Sequence, residues 1–468
     1  SNQGAPATLP EPLLQAGEDS VNPMALSLPA SSARSLLRRV IGAGLRAADP
    51  AQALRNHVHR TGHRLRIGRR RYDLRSFDRV VAVGAGKASA RMAQVLERVL
   101  GPYLDSGLVV VKTGHTLPTK RISVIEAGHP VPDRAGRHAA EQLRARVAAL
   151  GLRDLLIVLL SGGASSLIPA PVEGVSLADK QRLTNLLLRS GATIQEINVV
   201  RKHLSTIKGG RLAETTRARI VTLMLSDVIG DELTAIGSGP TAPDPSTYRV
   251  AIAIMKTHRI WTKAPASIRR HLQRGERGDA GETPKPGAAR FRRVQHEIIG
   301  NNRTAVGAAG EAAARAGVRT ILLETPIVGE AAKAGAALAS LALRLAADNG
   351  IIRRPWCLVA GGETTVTVSG SGKGGRAQEF AAAAAGTIAG LSKVWVAAVG
   401  TDGTDGPTDA AGAVVSGATL DQAWRNGVDL RRALVRHNTY PALRALKSHI
   451  VTGPTGTNVN DLYLLLAL

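Results

Sequence analysis

Two cations stand where turns rich in small residues meet the start of a helix. Lys87 closes the run Val81-Ala82-Val83-Gly84-Ala85-Gly86-Lys87-Ala88-Ser89, in which an apolar strand gives way to a glycine turn. Free N–H groups at a helix start carry partial positive charge, and a lysine beside them makes an anion site. Ser89 stands where a dinucleotide fingerprint has its third glycine, and the spacing of a Walker-A loop is absent. Taken alone, the run is better read as a plain tight strand-to-helix turn. Arg376 ends Gly370-Ser371-Gly372-Lys373-Gly374-Gly375-Arg376, just before an Ala-rich segment. There a guanidinium and a positive helix end would face the same anion, which suits a phosphoryl group in transfer.

Other turns could complete such a site. Ser161-Gly162-Gly163-Ala164-Ser165-Ser166 follows an apolar run and offers amides and three hydroxyls. It lacks the Gly-x-Ser-x-Gly of a nucleophile elbow, so a loop receiving carboxylate or phosphate is expected. Asp227 and Asp231 lie beyond another strand, in Ser226-Asp227-Val228-Ile229-Gly230-Asp231, with Gly237-Ser238-Gly239-Pro240-Thr241 after them. Carboxylates so placed can hold a metal or accept a hydroxyl proton, although capping a helix is as open to Asp231. Gly361-Gly362-Glu363-Thr364-Thr365 ends a further strand, and Asn458 and Asn460 precede the C-terminal apolar run. Asp402, Asp405 and Asp409 alternate through 400–409, but Ala413 stands where an EF-hand loop needs its bidentate Glu, so a surface turn is the competing reading. Ligands of open α/β sheets collect outside the carboxyl ends of the strands, so these turns are expected to converge.

The elements that must carry them alternate. Strands are expected at 80–83, 108–111, 155–160, 220–225, 297–299, 320–323, 357–360, 365–368 and 394–399, with long helices at about 88–100, 134–150 and 176–191. Near-continuous apolar strands separated by helices imply a parallel sheet covered on both faces. The expected architecture is two α/β domains, the first a Rossmann-like parallel sheet, with a cleft between them. Residues 1–30, Pro-rich and without an initial Met, read as a flexible lead. Residues 31–264 form the first domain, 265–293 a charged linker or surface excursion, and 294–468 the second domain.

Composition excludes several classes. One cysteine, Cys357, permits neither an internal disulfide nor a Cys-based zinc site, and its apolar neighbours predict a buried thiol. No apolar run approaches a membrane span and no secretory leader is legible, so a cytoplasmic protein is expected. The net charge of +25 invites a nucleic-acid reading, but the basic residues are dispersed and aromatics make up only 3%. The charge points to small anionic substrates instead.

Taken together, these residues resemble the class II glycerate kinases. The turns 84–89 and 161–166, Val200-Arg201-Lys202-His203-Leu204-Ser205 with Lys208-Gly209-Gly210, and the pair 226–231 and 237–241 resemble the N-terminal domain of that family. Segments 361–365, 374–379, 400–412 and 456–461 resemble its C-terminal MOFRL domain. The likeness runs from about residue 34 to the end and keeps motif order. It implies transfer of the γ-phosphoryl group of ATP to D-glycerate, usually at the 2-hydroxyl to give 2-phosphoglycerate, with Mg2+. It also implies two catalytic cations, matching Lys87 and Arg376.

On that basis Asp227 joins the catalytic set, and Asp227 and Asp402 are the expected metal carboxylates. Gly84, Gly86, Ser89, Ser161, Gly162, Gly163, Ser165, Asp231, Gly362, Glu363, Thr364, Gly375, Asn458 and Asn460 are expected to line the glycerate and nucleotide sites. The family usually has Asn directly after the arginine, where this chain has Ala377. Some members are labelled hydroxypyruvate reductase, so an NAD(P)H-dependent reductase is the rival enzyme, and a basic nucleic-acid-binding protein the rival outside enzymes. Partners other than glycerate and nucleotide are not expected, and the residues leave the oligomeric state, a homodimer among the options, open.

Overall fold

The computed structural model describes residues 32–347 and 353–468; the lead expected at 1–30 lies outside the described residues. A small antiparallel sheet comes first, from β1 (Val58–Thr61), β2 (Arg64–Ile67) and β3 (Arg70–Asp73). Six parallel strands follow: β4 (Arg79–Ala85), β5 (Ser106–Lys112), β6 (Ile122–Ala127), β7 (Asp154–Leu160), β8 (Arg219–Leu225) and β9 (Val294–Gly300). Their spatial order, β6-β5-β4-β7-β8-β9, is that of a doubly wound dinucleotide fold, with its reversal between β4 and β7. Every residue of β7 is buried, as expected of a strand covered by helices on both faces.

The second sheet contains β10 (Arg319–Leu322), β11 (Ile327–Glu330), β12 (Trp356–Thr365), β13 (Val394–Gly400), β14 (Gly412–Ser416), β15 (His449–Ile450) and β16 (Asp461–Ala467). Its central strand β16 runs antiparallel to both β12 and β13. The beginning of β16 therefore lies at the same edge as the ends of its neighbours, with Asp461 opposite Gly362 on one side and Gly400 on the other. This reversal brings the last motif of the chain to the edge where the other motifs of this half emerge.

Alternate residues of each strand enter different cores, as a period of two requires. Val80 and Ala82 of β4 share one apolar cluster with Ala397 and Val399 of β13 and with Leu462, Leu464 and Leu466 of β16. Their neighbours Val81 and Val83 enter a second core, and Tyr463 and Leu465 a third. The two sheets are thus joined through a common apolar layer. Helix Ser32–Ala47 contributes Leu37, Val40 and Ile41 to that layer, and helix Asn302–Arg315 contributes Ala305, Val306 and Ala309. Burying a side chain of Leu or Ile size is worth about 1.5–3 kcal/mol, so such a layer holds the lobes firmly together. Cys357 lies in it, and burial pushes its thiol up to about 12.

Four expectations differ from this fold. The strand predicted to open the second domain pairs with β8 and completes the first sheet, so that sheet extends to Gly300. The segment 265–293 includes helix Ala266–Glu276, which buries Ile268 and Leu272 and forms part of the β8-to-β9 crossover. The strands expected at 357–360 and 365–368 merge into the single strand β12, which ends at Thr365. It runs through Gly361 and Gly362 because side chains there would strike Asn302 and Ile327, so the glycines permit close packing rather than a turn. Helix Ser32–Ala47, expected within the first domain, lies against second-lobe elements: a Cβ at Gly44 would come within 2.7 Å of Leu462 and 3.0 Å of the Ala305 carbonyl.

Candidate active site

Lys87 sits at the reversal between β4 and β7, on a turn that is tied down internally. Gly86 N–H donates to the Val110 carbonyl (3.0 Å), Lys87 N–H to the Gly162 carbonyl (2.9 Å), and Ala88 N–H to Ser161 Oγ (3.0 Å). The amides that the sequence offered to an anion are therefore already satisfied by protein. Gly84 and Gly86 are required by packing, since side chains at these positions would strike Leu159 and Ser161, and Ser89 is wholly buried beneath them. The Lys87 ammonium itself is half-buried and has no ion-pair partner among the described residues.

The neighbouring loop is the reverse case. The amides of Gly162, Gly163 and Ser165 have no hydrogen-bond partner among the described residues, and Gly163 adopts φ +87°. Lys87 lies beside this loop, its Cγ 3.6 Å from where a Cβ on Gly163 would project. His129 is closer still, with ring atoms 2.9 Å from that point. Burial, then the charges of Lys87, Lys112 and His115, pull the imidazole of His129 down to about 4. Sequence reasoning missed His129; its place in Gly128-His129-Pro130, directly after β6, was the available signal.

Across the cleft, Arg376 begins helix Arg376–Thr387 and is held by two carboxylates. Its Nε and Nη2 donate to Asp461 at 2.8 and 3.0 Å, and its Nη1 donates to Glu363 at 2.6 Å. Burial opposes the guanidinium charge, but the two carboxylates outweigh it and raise Arg376 above its ordinary value. The helix start is closed by buried Asp405, which accepts from the backbone of Ala377 (3.1 Å) and Gln378 (2.8 Å). Gly375 has room only for hydrogen at Cα because that carboxylate lies against it. Thr364 is buried and bonds the Tyr463 hydroxyl. Asn458 Oδ1 accepts from Asn460 N–H (3.2 Å), and Asn460 adopts φ +65° with its carbonyl accepting from Thr401. Asp461 and Asp405 were not singled out as site residues; both sit in motifs whose glycines drew attention first.

Asp227 links the halves. Its carboxyl is raised to about 6, by burial first and with help from Glu363 of the second lobe, against the opposing effects of its own backbone N–H and of Lys87. The charges of Lys87 and of Glu363, the latter paired with Arg376, both act on Asp227. A side chain on Gly162 would collide with Asp227 and come within 3.6 Å of Asn458 Nδ2, so residues of both lobes crowd this loop.

Beside it lies a cavity of about 530 Å3 whose walls include Val228, Ile229, Asp231, Val306, Leu322 and Pro326. Asp231 caps no helix. It accepts from Asn301 Nδ2 (2.5 Å), while Asn301 Oδ1 caps the helix that follows. Asp402 is engaged in its own turn, accepting from Thr404 N–H (3.0 Å) and Oγ1 (3.2 Å). Among the described residues no group of three or more His, Cys, Asp or Glu could hold a metal ion.

Comparison with known proteins identifies the lineage. Residues 36–273 match the model described as a domain of unknown function, DUF4147, and residues 356–461 match the MOFRL family. A glycerate 2-kinase of Pyrococcus horikoshii is 39% identical over 92% of this chain and 96% of its own length. The chain belongs to the glycerate kinase family that carries the MOFRL domain. A putative hydroxypyruvate reductase of Agrobacterium vitis is 42% identical over 93% of this chain and 94% of its own. The crystal structure of a glycerate kinase from Thermotoga maritima superposes with a TM-score of 0.82 at 38% identity, covering 93% of this chain and 99% of that one.

Within the glycerate kinase family fold, the departure at Ala377 is a matter of packing. The Ala377 side chain is wholly buried in the core with Phe380 and Ala381 and points away from the cleft. No helix among the described residues is long and apolar enough to cross a membrane.

Proposed function

We propose that this chain is an ATP-dependent kinase that phosphorylates D-glycerate, at its 2-hydroxyl, in the cleft between the two sheets. The observation that carries this reading is the loop at Gly162, where a side chain would meet both Asp227 of the first lobe and Asn458 of the second. Phosphoryl transfer needs little covalent help from a protein; it needs positioning and neutralisation of charge. Here the acceptor oxygen forms its bond to the γ-phosphorus as the bridging bond to the β-phosphate breaks, and the hydroxyl proton leaves to a base or to solvent. Lys87, without a carboxylate partner, is the cation free to follow the moving phosphoryl group. Arg376, fixed by Asp461 and Glu363, presents its remaining N–H groups from the opposite wall. Asp227 is placed to orient the acceptor hydroxyl or to hold a metal, and either role needs its anionic form.

Asp227 and Glu363 are the carboxylates that would hold a divalent cation, because Mg2+ takes one or two carboxylates and completes its shell with water and phosphate. When bound it would neutralise charge on the triphosphate. Asp402, committed to its turn, is the weaker candidate. The cavity beside Asp231 has the size and apolar lining that suit a nucleoside. The reductase reading would rest the cofactor pyrophosphate on the glycine turn after β4, whose amides are already bonded to Val110, Gly162 and Ser161. Phosphorus NMR of a reaction with glycerate and ATP tests the proposal, with 2-phosphoglycerate as the expected product. Oxidation of NADH by hydroxypyruvate without ADP release would overturn it.

A further inference from the structure

The segment Val200-Arg201-Lys202-His203-Leu204-Ser205 and Lys208, singled out by its resemblance alone, gathers positive charge under the loop 161–166. Lys208 is 1% exposed, and its Nζ donates to the Ser165 carbonyl at 2.7 Å. Lys180 is 6% exposed and donates to the Leu204 carbonyl at 3.2 Å. Arg201 is half-buried, and no hydrogen bond ties its guanidinium to the described residues. The charges acting on Lys208 are those of Lys180 and Arg201, both positive. Nearby Lys202 is the contrasting case, paired with buried Asp244 at 3.4 Å. A buried cation without a counter-charge is costly, and folds do not place three together for stability.

The surroundings are built to face an oxyanion. Ser165 Oγ lies 3.0 Å from Ser238 Oγ, which donates to Asn198 Oδ1 at 3.2 Å. Ser238 is held at φ +62° between Gly237 and Gly239, both also at positive φ, a conformation that costs free energy at a serine. Gly209 and Gly210 N–H donate to the Ser238 and Gly239 carbonyls at 3.0 and 2.7 Å, so the segment bearing Lys208 is bolted to this strained turn. The carbonyl that Lys208 holds belongs to the loop whose Gly162, Gly163 and Ser165 amides are unbonded among the described residues. Burial and repulsion from Arg201 bring Lys180 down to about 7, as befits a group that gains its full charge only when an anion arrives.

We propose that Lys180, Arg201 and Lys208 form the cradle for an oxyanion of a reactant, the carboxylate of the acceptor or a phosphate of the donor. Only the identity of the anion rests on the kinase reading; the cradle itself rests on three uncompensated cations beneath free amides. The test uses the full chain with Lys208→Met and Arg201→Met. The KM of one reactant is expected to rise at least ~30-fold, the size of losing a charge-assisted hydrogen bond, with the other KM within about twofold. A glycerate effect assigns the carboxylate, and an ATP effect the phosphate.

Inorganic phosphate supplies a readout without turnover. It is expected to raise the melting temperature of the wild type and to lose that effect in both variants, while the unliganded variants melt at or above the wild type. Arg201→Met, at a half-buried residue whose guanidinium makes no hydrogen bond to the described residues, keeps the test open should Lys208→Met fail to fold. Phosphate stabilisation in a chain without kinase activity would sink the proposed reaction and leave the cradle standing. Variants that keep both KM values and the phosphate-dependent shift overturn the cradle.

Discussion

The two walls of the cleft hold their cations in opposite ways. On the first wall Lys87 has no ion-pair partner among the described residues; Lys112, His115 and His129 gather near it, and the buried Asp227 is the carboxylate its charge reaches. On the second wall Arg376 is locked by Asp461 and Glu363, so a single guanidinium sits among two carboxylates, with Asp227 facing them. The first wall is short of negative charge and the second is short of positive charge. On the proposed function, a nucleoside triphosphate with its metal would supply both, the oxyanions for one side and the divalent cation for the other. A pair of residues that look equivalent in the sequence is therefore divided in labour: Lys87 is a mobile charge and Arg376 a fixed one.

The largest expected effect separates those two roles. Lys87→Ala should lower kcat by about 10²–10³, the scale of losing one group that stabilises transition-state charge, with stability within about 0.5 kcal/mol of wild type. Arg376→Ala should lower kcat as much and also cost about 3–5 kcal/mol, because Asp461 is left buried and unpaired. Urea denaturation beside steady-state kinetics checks both. Combining Arg376→Met with Asp461→Leu should recover most of that stability and none of the activity. Equal destabilisation by the Lys87 and Arg376 variants would erase the contrast.

Next in size is the response to pH. Asp227 is held near 6, above its ordinary 3.8, by burial and by Glu363. Its anion is the active form, so kcat/KM should fall about tenfold per pH unit below about 6, and Asp227→Asn should abolish that limb. The stability consequence has a definite sign. A carboxyl raised on folding stabilises the fold only while protonated, and that contribution is lost as pH rises from about 4 through about 6. Asp227→Asn, which cannot ionise, should therefore gain in melting temperature over wild type across that window and keep the gain above it. A gain that shrinks with rising pH would mean that Lys87 outweighs burial at this carboxylate. On the second lobe, Glu363→Gln should raise the Mg2+ needed for half-maximal activity on the order of tenfold, and Asp402→Asn by less.

How much of this was legible in the sequence follows from the same division. The parallel sheet was readable because 155–160 is an unbroken apolar run and 220–225 is interrupted only by Thr222, and such runs are what a strand buried on both faces requires. The positions of Lys87 and Arg376 at element starts were readable from glycine spacing. What each glycine does was not. Gly84 and Gly361 suggest turns or ligand approach, yet both are spent on packing against Leu159 and Asn302. The partners of Arg376 were hidden as well, because β16 reverses direction and brings Asp461 to the edge from 85 residues away. Helix Ser32–Ala47 could not be assigned to its lobe, since an amphipathic stripe records that a face is buried and not what covers it.

The smallest expected effect concerns Ala377, and it tests whether the second wall is as rigid as its pairing implies. The methyl group is wholly buried beside Phe380, and the backbone N–H is taken by Asp405. Restoring the family's usual asparagine with Ala377→Asn places an amide in that apolar core. The cost should be about 1–3 kcal/mol, from a buried polar group with added volume. The KM values for glycerate and ATP should remain within about twofold, because the side chain points away from the cleft. A variant that is as stable as wild type and more active would mean that the helix start can turn residue 377 toward the substrate. Arg376 would then be carried on a movable element, and the difference between its wall and that of Lys87 would disappear.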